Sequence, residues 1–319
     1  MGFLFHAIIK HMFDLIIIGG SAAATAAGIY AARRNLNFKI ITKDFGGEVA
    51  TSGEIANWPG IIKTDGITLS QQFKDHLVSY NVEIEEGVEV ESVKKLEDGT
   101  FCVTAKIGGS NCDYIAKTVL VTTGVKPREL NIQGEKEMRN KGVSYCTVCD
   151  GPLFSGKVTA TIGGGNSALE SGLMLADIAS KVYLINKNDS FRGDQILIDN
   201  LKSKKNVEII YNANTTQVLG DEFVNGLKYN DKDGKEQELK LDGIFVHIGN
   251  LPNSSIMSPE VEKNKFGEVM VNKNCETNIP GLYAAGDVTD VPHKQIVIAA
   301  GQGACSVLSV VNYLNKMTQ

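Results

Sequence analysis

The chain lacks the basic clusters that mark a nucleic-acid-binding protein. No block of lysine and arginine stands out, and the net charge is −5 with a pI of about 5.6. Because phosphate-backbone binding leaves a basic footprint, no nucleic-acid partner is expected. The apolar opening, residues 1–11, is too short for a membrane span and lacks the basic start and cleavage site of an export signal. We therefore expect no membrane partner and interpret residues 1–11 as an N-terminal extension.

Cysteine is scarce, and only Cys146 and Cys149 are closely spaced, in Cys146-Thr-Val-Cys-Asp150. A structural zinc site would need two further Cys or His ligands, so no metal is predicted. Two cysteines separated by two residues can close a small disulfide ring, and one thiol of such a pair is commonly acidified. The motif predicts a redox pair, the alternative being two unrelated core cysteines. With no export signal, the pair indicates a reducing cytoplasm. We interpret the remaining cysteines as core residues: Cys102, Cys112, Cys275 and Cys305.

One strand, turn, helix and strand pattern occurs twice, from Phe13 to Thr42 and from Val158 to Asn186. In each copy a short apolar run is typical of a parallel strand, and an alanine-rich segment of a crossover helix. The spacing from the first glycine of the turn to the end of the second strand is identical in both copies. With 319 residues, of which 43% are hydrophobic, the chain can form two sizeable cores. The prediction is an α/β fold with two Rossmann-like dinucleotide-binding domains.

The two turns between strand and helix are small-residue turns. The second, Gly163-Gly-Gly-Asn-Ser-Ala168, fits G-x-G-x-x-A, whereas the first, Gly19-Gly-Ser-Ala-Ala-Ala24, has serine and alanine where glycine is usual. Small residues let a pyrophosphate approach the backbone N–H groups at the helix start. Such a turn can also serve helix–strand packing alone. Near the C-terminus, Thr277 to Asp287 predicts a Pro-Gly turn, a short strand and a Gly-Asp pair, although Gly-Asp by itself is typical of an ordinary turn.

With both turns, Cys-Thr-Val-Cys-Asp and Pro-Gly-Leu-Tyr-Ala-Ala-Gly-Asp, the sequence resembles the low-molecular-weight bacterial and archaeal thioredoxin reductases from Phe13 to Leu314. The resemblance implies a homodimer and an FAD domain made of residues 12–125 and 250–319. It also implies an inserted NAD(P)-type domain, residues 126–249, which carries the redox pair and swivels on its two connections. The implied activity is reduction of the disulfide of thioredoxin or a similar small redox protein.

The resemblance also assigns roles to the redox motif. Cys149 is the thiol next to the flavin, and Cys146 faces outward and attacks the partner disulfide, after which Cys149 resolves the mixed disulfide. Asp150 is the acid/base that protonates a departing thiolate, with a helix N-cap as its alternative role.

The implied FAD site is larger. Glu48 departs from the glutamine usual in the family, and a carboxylate there would disfavour an anionic reduced flavin unless it points to solvent. The implied FAD residues are Gly19, Gly20, Ser21, Ala22, Ala23 and Ala24 at the pyrophosphate, Gly46, Gly47, Glu48, Asn57, Thr123 and Gly124 in the cleft, Gly286 and Asp287 at the ribityl or phosphate end, and Lys294, Gln295 and Ile296 at the isoalloxazine.

The second nucleotide site departs from the family pattern. NADPH-dependent members carry His-Arg-Arg-x-x-x-Arg, whereas this chain has Asn186-Lys-Asn-Asp-Ser-Phe-Arg192. Lysine does not reproduce the planar grip of arginine on phosphate, and an NADH enzyme would more often place an acid at position 186. NADPH is the preferred donor, with NADH and reduced ferredoxin left open. The implied residues of this site are Gly163, Gly164, Gly165, Asn166, Ser167, Lys187 and Arg192.

Several other functions compete on the same scaffold. The runner-up is a flavin-dependent dithiol oxidase that hands electrons to oxygen and needs no nicotinamide site. Ferredoxin–NADP reductases are disfavoured because they do not need Cys146 and Cys149. A peroxide-reductase flavoprotein is disfavoured because it usually carries an extra N-terminal thioredoxin-like module, which 11 residues do not supply. A non-catalytic flavin redox sensor is disfavoured because the Cys-x-x-Cys-Asp unit is chemically complete.

Overall fold

The computed structural model describes residues 12–52 and 54–317, and the side chains of Glu54 and Cys149 are not described. The chain divides into two compact units. We call residues 12–126 together with 252–317 the outer unit, and Pro127–Leu251 the inserted unit. The predicted N-terminal extension, residues 1–11, lies outside the described residues. Each unit has a sheet with a core of parallel strands, packed with helices, which confirms the predicted α/β class.

The outer unit is built on a seven-stranded sheet. Its strands, with one short extra pair, are β1 Met12–Ile18, β2 Phe38–Ile41, β3 Glu54–Ile55, β4 Thr64–Asp65, β5 Ile84–Glu85, β6 Val88–Lys95, β7 Phe101–Ile107, β8 Ser110–Val121 and β19 Leu282–Ala284. The sheet order is β5-β2-β1-β8-β7-β6, with β19 also paired to β8, while β3 pairs with β4. Strands β5, β2, β1, β8 and β19 run parallel. Leu15, Ile16 and Ile17 are fully buried, as expected for a central strand covered on both faces.

Three helices pack in the outer unit: α1 Ala22–Arg33, α2 Gly66–Ser79 and α6 Ile296–Met317. Helix α1 is rich in alanine, and its small residues allow α6 to approach its backbone closely. A Cβ atom at Gly303 of α6 would lie 2.0 Å from the carbonyl oxygen of Ala23. Asp65 caps the start of α2, because its carboxylate accepts a hydrogen bond of 2.9 Å from the backbone N–H of Thr68.

Among the described residues, α6 is also the one helix long and apolar enough to cross a membrane by length and composition, with a mean hydropathy of 1.5 over 18 residues. Its buried face, which includes Gly303, Ser306, Val307 and Val310, belongs to the outer unit. The core helix of a globular domain satisfies the same two criteria, so length and composition do not make α6 a span.

The inserted unit repeats the pattern with a five-stranded parallel sheet. Its elements are β10 Val143–Ser144, α3 Thr147–Asp150, β11 Val158–Ile162, α4 Asn166–Ala176, β12 Lys181–Ile185, α5 Gln195–Ser203, β13 Val207–Ile210, β14 Asn214–Gly220, β15 Val224–Asn230, β16 Glu236–Lys240 and β17 Gly243–Val246. The parallel order is β10-β17-β11-β12-β13, and β14, β15 and β16 form an antiparallel sheet. The chain connections, β9 Val125–Pro127 and β18 Asn250–Pro252, pair with each other.

The contact of α6 with α1 makes a prediction about two glycines of one helix. Replacement of Gly303 by alanine forces a methyl group into the backbone of α1, and we expect the outer unit to lose about 1–3 kcal/mol of unfolding free energy. Gly301→Ala is the matched control. A Cβ at Gly301 meets open space, so alanine should stabilise the helix by up to about 1 kcal/mol. Urea unfolding measures both, and equal effects would contradict the close contact.

Candidate active site

Each unit places a glycine turn at the carboxyl end of a central parallel strand, β1 in the outer unit and β11 in the inserted unit. Gly19 has φ +122° and Gly163 has φ +150°, a backbone region that favours glycine. A Cβ atom at Gly19 would lie 2.4 Å from the carbonyl oxygen of Thr122, and one at Gly163 would lie 2.1 Å from that of His247. The first glycine of each turn is therefore required by the chain segment that follows the neighbouring strand.

The third residue of each turn differs between the two units. A Cβ at Gly165 would have no neighbour within 4 Å. In the outer unit this position is Ser21, whose hydroxyl donates to the carbonyl oxygen of Gly46 at 2.6 Å and so does not cap α1. The first turn of α1 carries no acidic residue either. Its free N–H groups and small side chains fit a pyrophosphate such as that of FAD.

The structure brings Glu48 and Asp287 close enough to repel each other. Burial raises the pKa of Asp287, and the nearby Lys294 ammonium partly opposes this. Desolvation by surrounding protein raises the pKa of Glu48 first, and the charge of Asp287 adds to it. Because the Glu48 side chain still reaches solvent, water screens part of this repulsion. Asp287 offers a carboxylate that can accept hydrogen bonds from the hydroxyls of a bound ribityl chain.

Other predicted FAD residues contact one another within the outer unit. The amide of Asn57 donates to the side-chain oxygen of Gln295 at 3.2 Å, and the N–H of Gly46 donates to the carbonyl of Gly20 at 2.6 Å. Lys294 pairs with Glu268 at 2.9 Å.

Thr123 and Gly124 both form hydrogen bonds with Asn253 in the outer unit. The Thr123 hydroxyl donates to the carbonyl of Asn253 at 2.8 Å, and the carbonyl of Gly124 accepts from the N–H of Asn253 at 3.0 Å. These two hydrogen bonds fasten the returning chain, and the roles of Thr123 and Gly124 toward FAD stay predictions.

Cys146 precedes the short helix α3 and is disulfide-bonded. Its backbone N–H donates to the hydroxyl of Ser144 at 3.0 Å, and its carbonyl accepts from the N–H of Asp150 at 3.1 Å. The side chain of Cys149 lies outside the described residues, so its role stays a prediction. Asp150 precedes a 3₁₀ turn, Gly151–Phe154, and its carboxylate makes no capping hydrogen bond there. The N-cap alternative therefore has no support from the geometry.

The residue before Cys146 is anchored to a fully buried carboxylate. The hydroxyl of Tyr145 donates to Glu135 at 2.8 Å, and the same carboxylate accepts from the backbone N–H groups of Leu130 and Asn131 at 2.7 and 2.6 Å. These three hydrogen bonds compensate the cost of burying Glu135. The segment leading into the redox motif is thus held at both its backbone and its side chain.

His247 is a residue that the sequence reasoning missed. The hydroxyl of Thr147, the residue after Cys146, lies 2.8 Å from Nε2 of His247 and 2.6 Å from the hydroxyl of Ser171, which lies 3.2 Å from that of Thr161. Burial lowers the pKa of His247 to about 4, so its ring is neutral near pH 7. The one sequence signal that could have pointed to His247 is its position directly after β17. Its contact with Gly163 is visible only in the structure.

Asn186, directly after β12, is buried and hydrogen-bonded within its own loop. Its side-chain oxygen accepts from the N–H of Asn188 at 3.1 Å, and its amide donates to the carbonyl of Ser190 at 2.8 Å. The N–H of Arg192 donates to the carbonyl of Gly164 at 2.8 Å. The loop therefore folds back onto the glycine turn.

The charges around this turn are mixed. Lys187 and Arg192 are exposed cations of the loop. The Asn166 side chain, at the start of α4, accepts from the N–H of Asp194 at 2.7 Å and donates to its carboxylate at 3.1 Å. Burial raises the pKa of Glu170, and the charge of Asp194 raises it further. The loop brings Arg192 to the glycine turn, and the surroundings of the turn include acidic as well as basic side chains.

Comparison with known proteins gives a consistent family. The pattern of the pyridine nucleotide-disulphide oxidoreductases matches residues 13–303. One of the alkyl hydroperoxide reductase subunits of Pseudomonas putida is 42% identical over 307 residues, which is 96% of this chain and 59% of that protein. The chain thus spans about three fifths of the length of the curated relatives it matches. The sequence reasoning disfavours that class, and this similarity restores it as a candidate.

Solved structures agree on the fold. Thioredoxin reductase of T. acidophilum superposes with a TM-score of 0.84 at 35% identity, covering 96% of this chain and 99% of that one. A ferredoxin-flavin thioredoxin reductase of Clostridium acetobutylicum gives a TM-score of 0.52 at 28% identity, with 96% and 100% covered. The resemblance to thioredoxin reductases is confirmed.

The pKa of His247 makes a prediction about acid stability. A histidine with an unfolded pKa of 6.5 and a folded pKa of about 4 binds its proton more readily in the unfolded state. Stability is therefore lost as the pH falls from 6.5 to 4, by about 3 kcal/mol. His247→Gln removes this titration, so its urea midpoint should fall less steeply than that of the wild type across this range. His293→Gln, at an exposed position, is the control. Parallel curves for wild type and His247→Gln would contradict the assignment.

Proposed function

Because the chain belongs to the pyridine nucleotide-disulphide oxidoreductase family, it is an FAD-dependent disulfide oxidoreductase, and we propose that it reduces the disulfide of thioredoxin or a thioredoxin-like protein. The observation that carries the proposal is the redox motif. Cys146 is disulfide-bonded and partly exposed, and its backbone is held by Ser144 and Asp150. A partly exposed sulfur on a rigid backbone suits exchange with the disulfide of another protein.

In this proposal residues 12–125 and 250–319 form the FAD domain. Bound FAD would supply two-electron reducing power to the redox pair. The amides of Ala22, Ala23 and Ala24 hold the pyrophosphate at the start of α1, and Asp287 accepts from sugar-chain hydroxyls. Gln295, oriented by Asn57, lines the flavin end. The uncapped helix start and the absence of acid in its first turn support this placement.

The thiol steps use residues of the inserted domain, 126–249. Once the pair is reduced, Cys146 attacks one sulfur of the partner disulfide and forms a mixed disulfide. Asp150 gives a proton to the departing thiolate of the partner. Cys149 then attacks Cys146, closing the ring again and releasing the second partner thiol. Tyr145 and Thr147, fixed by Glu135 and His247, keep the backbone of the motif in one position through this cycle.

For the electron donor we propose a pyridine nucleotide bound at the second turn, with only a weak preference for NADPH over NADH. Lys187 and Arg192 are the loop cations near a 2′-phosphate, while Asn186 is occupied by its own loop. A single lysine or exposed arginine contributes less than a bidentate arginine clamp. Ferredoxin is the second candidate donor, because a ferredoxin-flavin thioredoxin reductase shares the fold.

A second candidate function follows from the curated relatives, which carry the name of alkyl hydroperoxide reductase. In that case the chain supplies electrons to a partner that reduces alkyl hydroperoxides. Its thiol chemistry is the same, and the partner differs. By family resemblance we also propose a homodimer that works in the cytoplasm.

Anaerobic stopped-flow reduction of the holoenzyme with NADPH, NADH and reduced ferredoxin tests the donor. We expect both nucleotides to bleach the flavin. Bleaching by a dithiol but by none of the three donors would support the dithiol oxidase instead. Steady-state turnover with oxidised thioredoxin, compared with turnover in a coupled assay with a hydroperoxide-reducing partner, separates the two candidate functions.

The redox pair makes the second test. Cys149→Ser should lower turnover with thioredoxin at least about hundredfold because the mixed disulfide is no longer resolved, while flavin content and bleaching by nucleotide persist. Cys112→Ser is the matched control, since its thiol lies elsewhere, in β8, and donates to the carbonyl of Ala105. Turnover that survives in Cys149→Ser would rule out the proposed cycle.

Nucleotide preference gives a third test. Lys187→Ala should raise the KM for NADPH about 2–5-fold, as expected for one exposed charge pair, and leave the KM for NADH unchanged. Lys205→Ala, at an exposed lysine beyond α5, is the control. Equal changes for both nucleotides would show that Lys187 does not meet the 2′-phosphate.

A further inference from the structure

Two cysteines outside the redox motif, Cys275 and Cys305, lie against each other in the outer unit. Cys275 lies in the loop before β19, and Cys305 lies on α6. The thiol of Cys275 donates to the carbonyl of Gln302 at 3.5 Å, and the thiol of Cys305 donates to the carbonyl of Lys273 at 3.4 Å. Each sulfur therefore reaches the backbone beside the other cysteine. The side chain of Cys305 lies near enough to raise the pKa of the Cys275 thiol, and both thiols are free in this structure.

The loop that carries Cys275 is rigid. The side-chain oxygen of Asn272 accepts from the N–H groups of Asn274 and Glu276 at 2.9 and 3.1 Å, and the N–H of Cys275 donates to the carbonyl of Asn272 at 2.9 Å. Cys275 has φ +61°, an uncommon conformation for a residue other than glycine. The surrounding hydrogen bonds hold it there and direct its side chain toward α6.

The two thiols differ in access. Cys275 is 2% exposed, and burial together with its neighbour raises the pKa of its thiol to about 12. Cys305 is partly exposed. An oxidant arriving from solvent therefore meets Cys305 first, and Cys275 lies behind it as a resolving thiol.

We propose that Cys275 and Cys305 form a second redox dithiol, which a hydroperoxide converts into an intramolecular disulfide. The sulfur of Cys305 attacks the outer oxygen of the hydroperoxide, the O–O bond breaks, and an alcohol leaves. The Cys305 sulfenic acid that results is attacked by the sulfur of Cys275, so that an S–S bond forms and water leaves. Two thiols and one hydroperoxide thus yield one disulfide, one alcohol and one water.

The position of this disulfide gives it a structural effect. It closes a loop that contains β19, Gly286, Asp287 and the start of α6. Gln302, which accepts from Cys275 through its carbonyl, also accepts from the N–H of Gly286 at 2.8 Å through its side chain. The disulfide therefore fastens the segment that carries the proposed FAD contacts. This effect on FAD rests on the proposed function, whereas formation of the disulfide does not.

Tryptic mapping of the reduced holoenzyme after treatment with tert-butyl hydroperoxide tests disulfide formation. Cleavage after Lys273, Lys294 and Lys316 places Cys275 in residues 274–294 and Cys305 in residues 295–316. We expect these two peptides to appear linked, with at least a tenfold loss of the linked species in Cys305→Ser and in Cys275→Ser. Cys112→Ser should give the wild-type yield. Failure to find the linked peptides in the wild type, or linkage of Cys305 to another cysteine, would overturn the proposal.

Thermal release of FAD, followed by flavin fluorescence, tests the effect of the disulfide. The oxidised wild type should release FAD several degrees above the reduced wild type, because closing a loop of this length restricts the unfolded chain. Cys305→Ser should show no difference between the two treatments. Linked peptides with an unchanged release temperature would refute the fastening of the FAD segment while leaving the dithiol itself established.

Discussion

The glycine turns of both units depend on the same close backbone contact, between the first glycine of the turn and the carbonyl oxygen that follows the neighbouring strand. Gly19 lies against the carbonyl of Thr122, and Gly163 lies against that of His247, at distances that leave no room for a side chain. This contact brings the start of the next helix to the carboxyl edge of a parallel sheet. Because partial positive charge emerges at that edge from α1 and α4, both units are suited to bind the phosphates of a dinucleotide.

The repeated strand, turn and helix pattern could be predicted because it depends on local periodicity and small turn residues. The separate roles of the residues within each turn could not be predicted in this way. The sequence leaves open whether the small residues of a turn serve the ligand or packing, whereas the structure shows that the first glycine serves packing and that Gly165, at the third position, faces open space. Which chain segment passes behind a glycine is decided by the tertiary fold, and no local pattern records it.

The supporting residues of the site were beyond prediction for the same reason. His247 lies 100 positions from Thr147, and Glu135 reaches Tyr145 only because a loop is folded beneath it. The sequence does predict a weak phosphate clamp from Asn186 and Lys187. It does not reveal that the Asn186 amide is used by its own loop, or that Asp194, which precedes α5, contacts Asn166 at the start of α4. The choice of electron donor therefore depends on competing acidic and basic charges around the turn, and not only on the missing arginines of the phosphate clamp.

Because one unit is inserted within the other, the two units cannot complete their folds in the order in which they begin along the chain. Strand β19 pairs with β8, and α6 packs on α1, yet both elements leave the ribosome after the whole inserted unit. During synthesis the edge of β8 that later pairs with β19 and the alanine face of α1 therefore stay uncovered. The inserted unit is by then complete and can fold. The outer unit therefore reaches its final fold only after α6 has been translated.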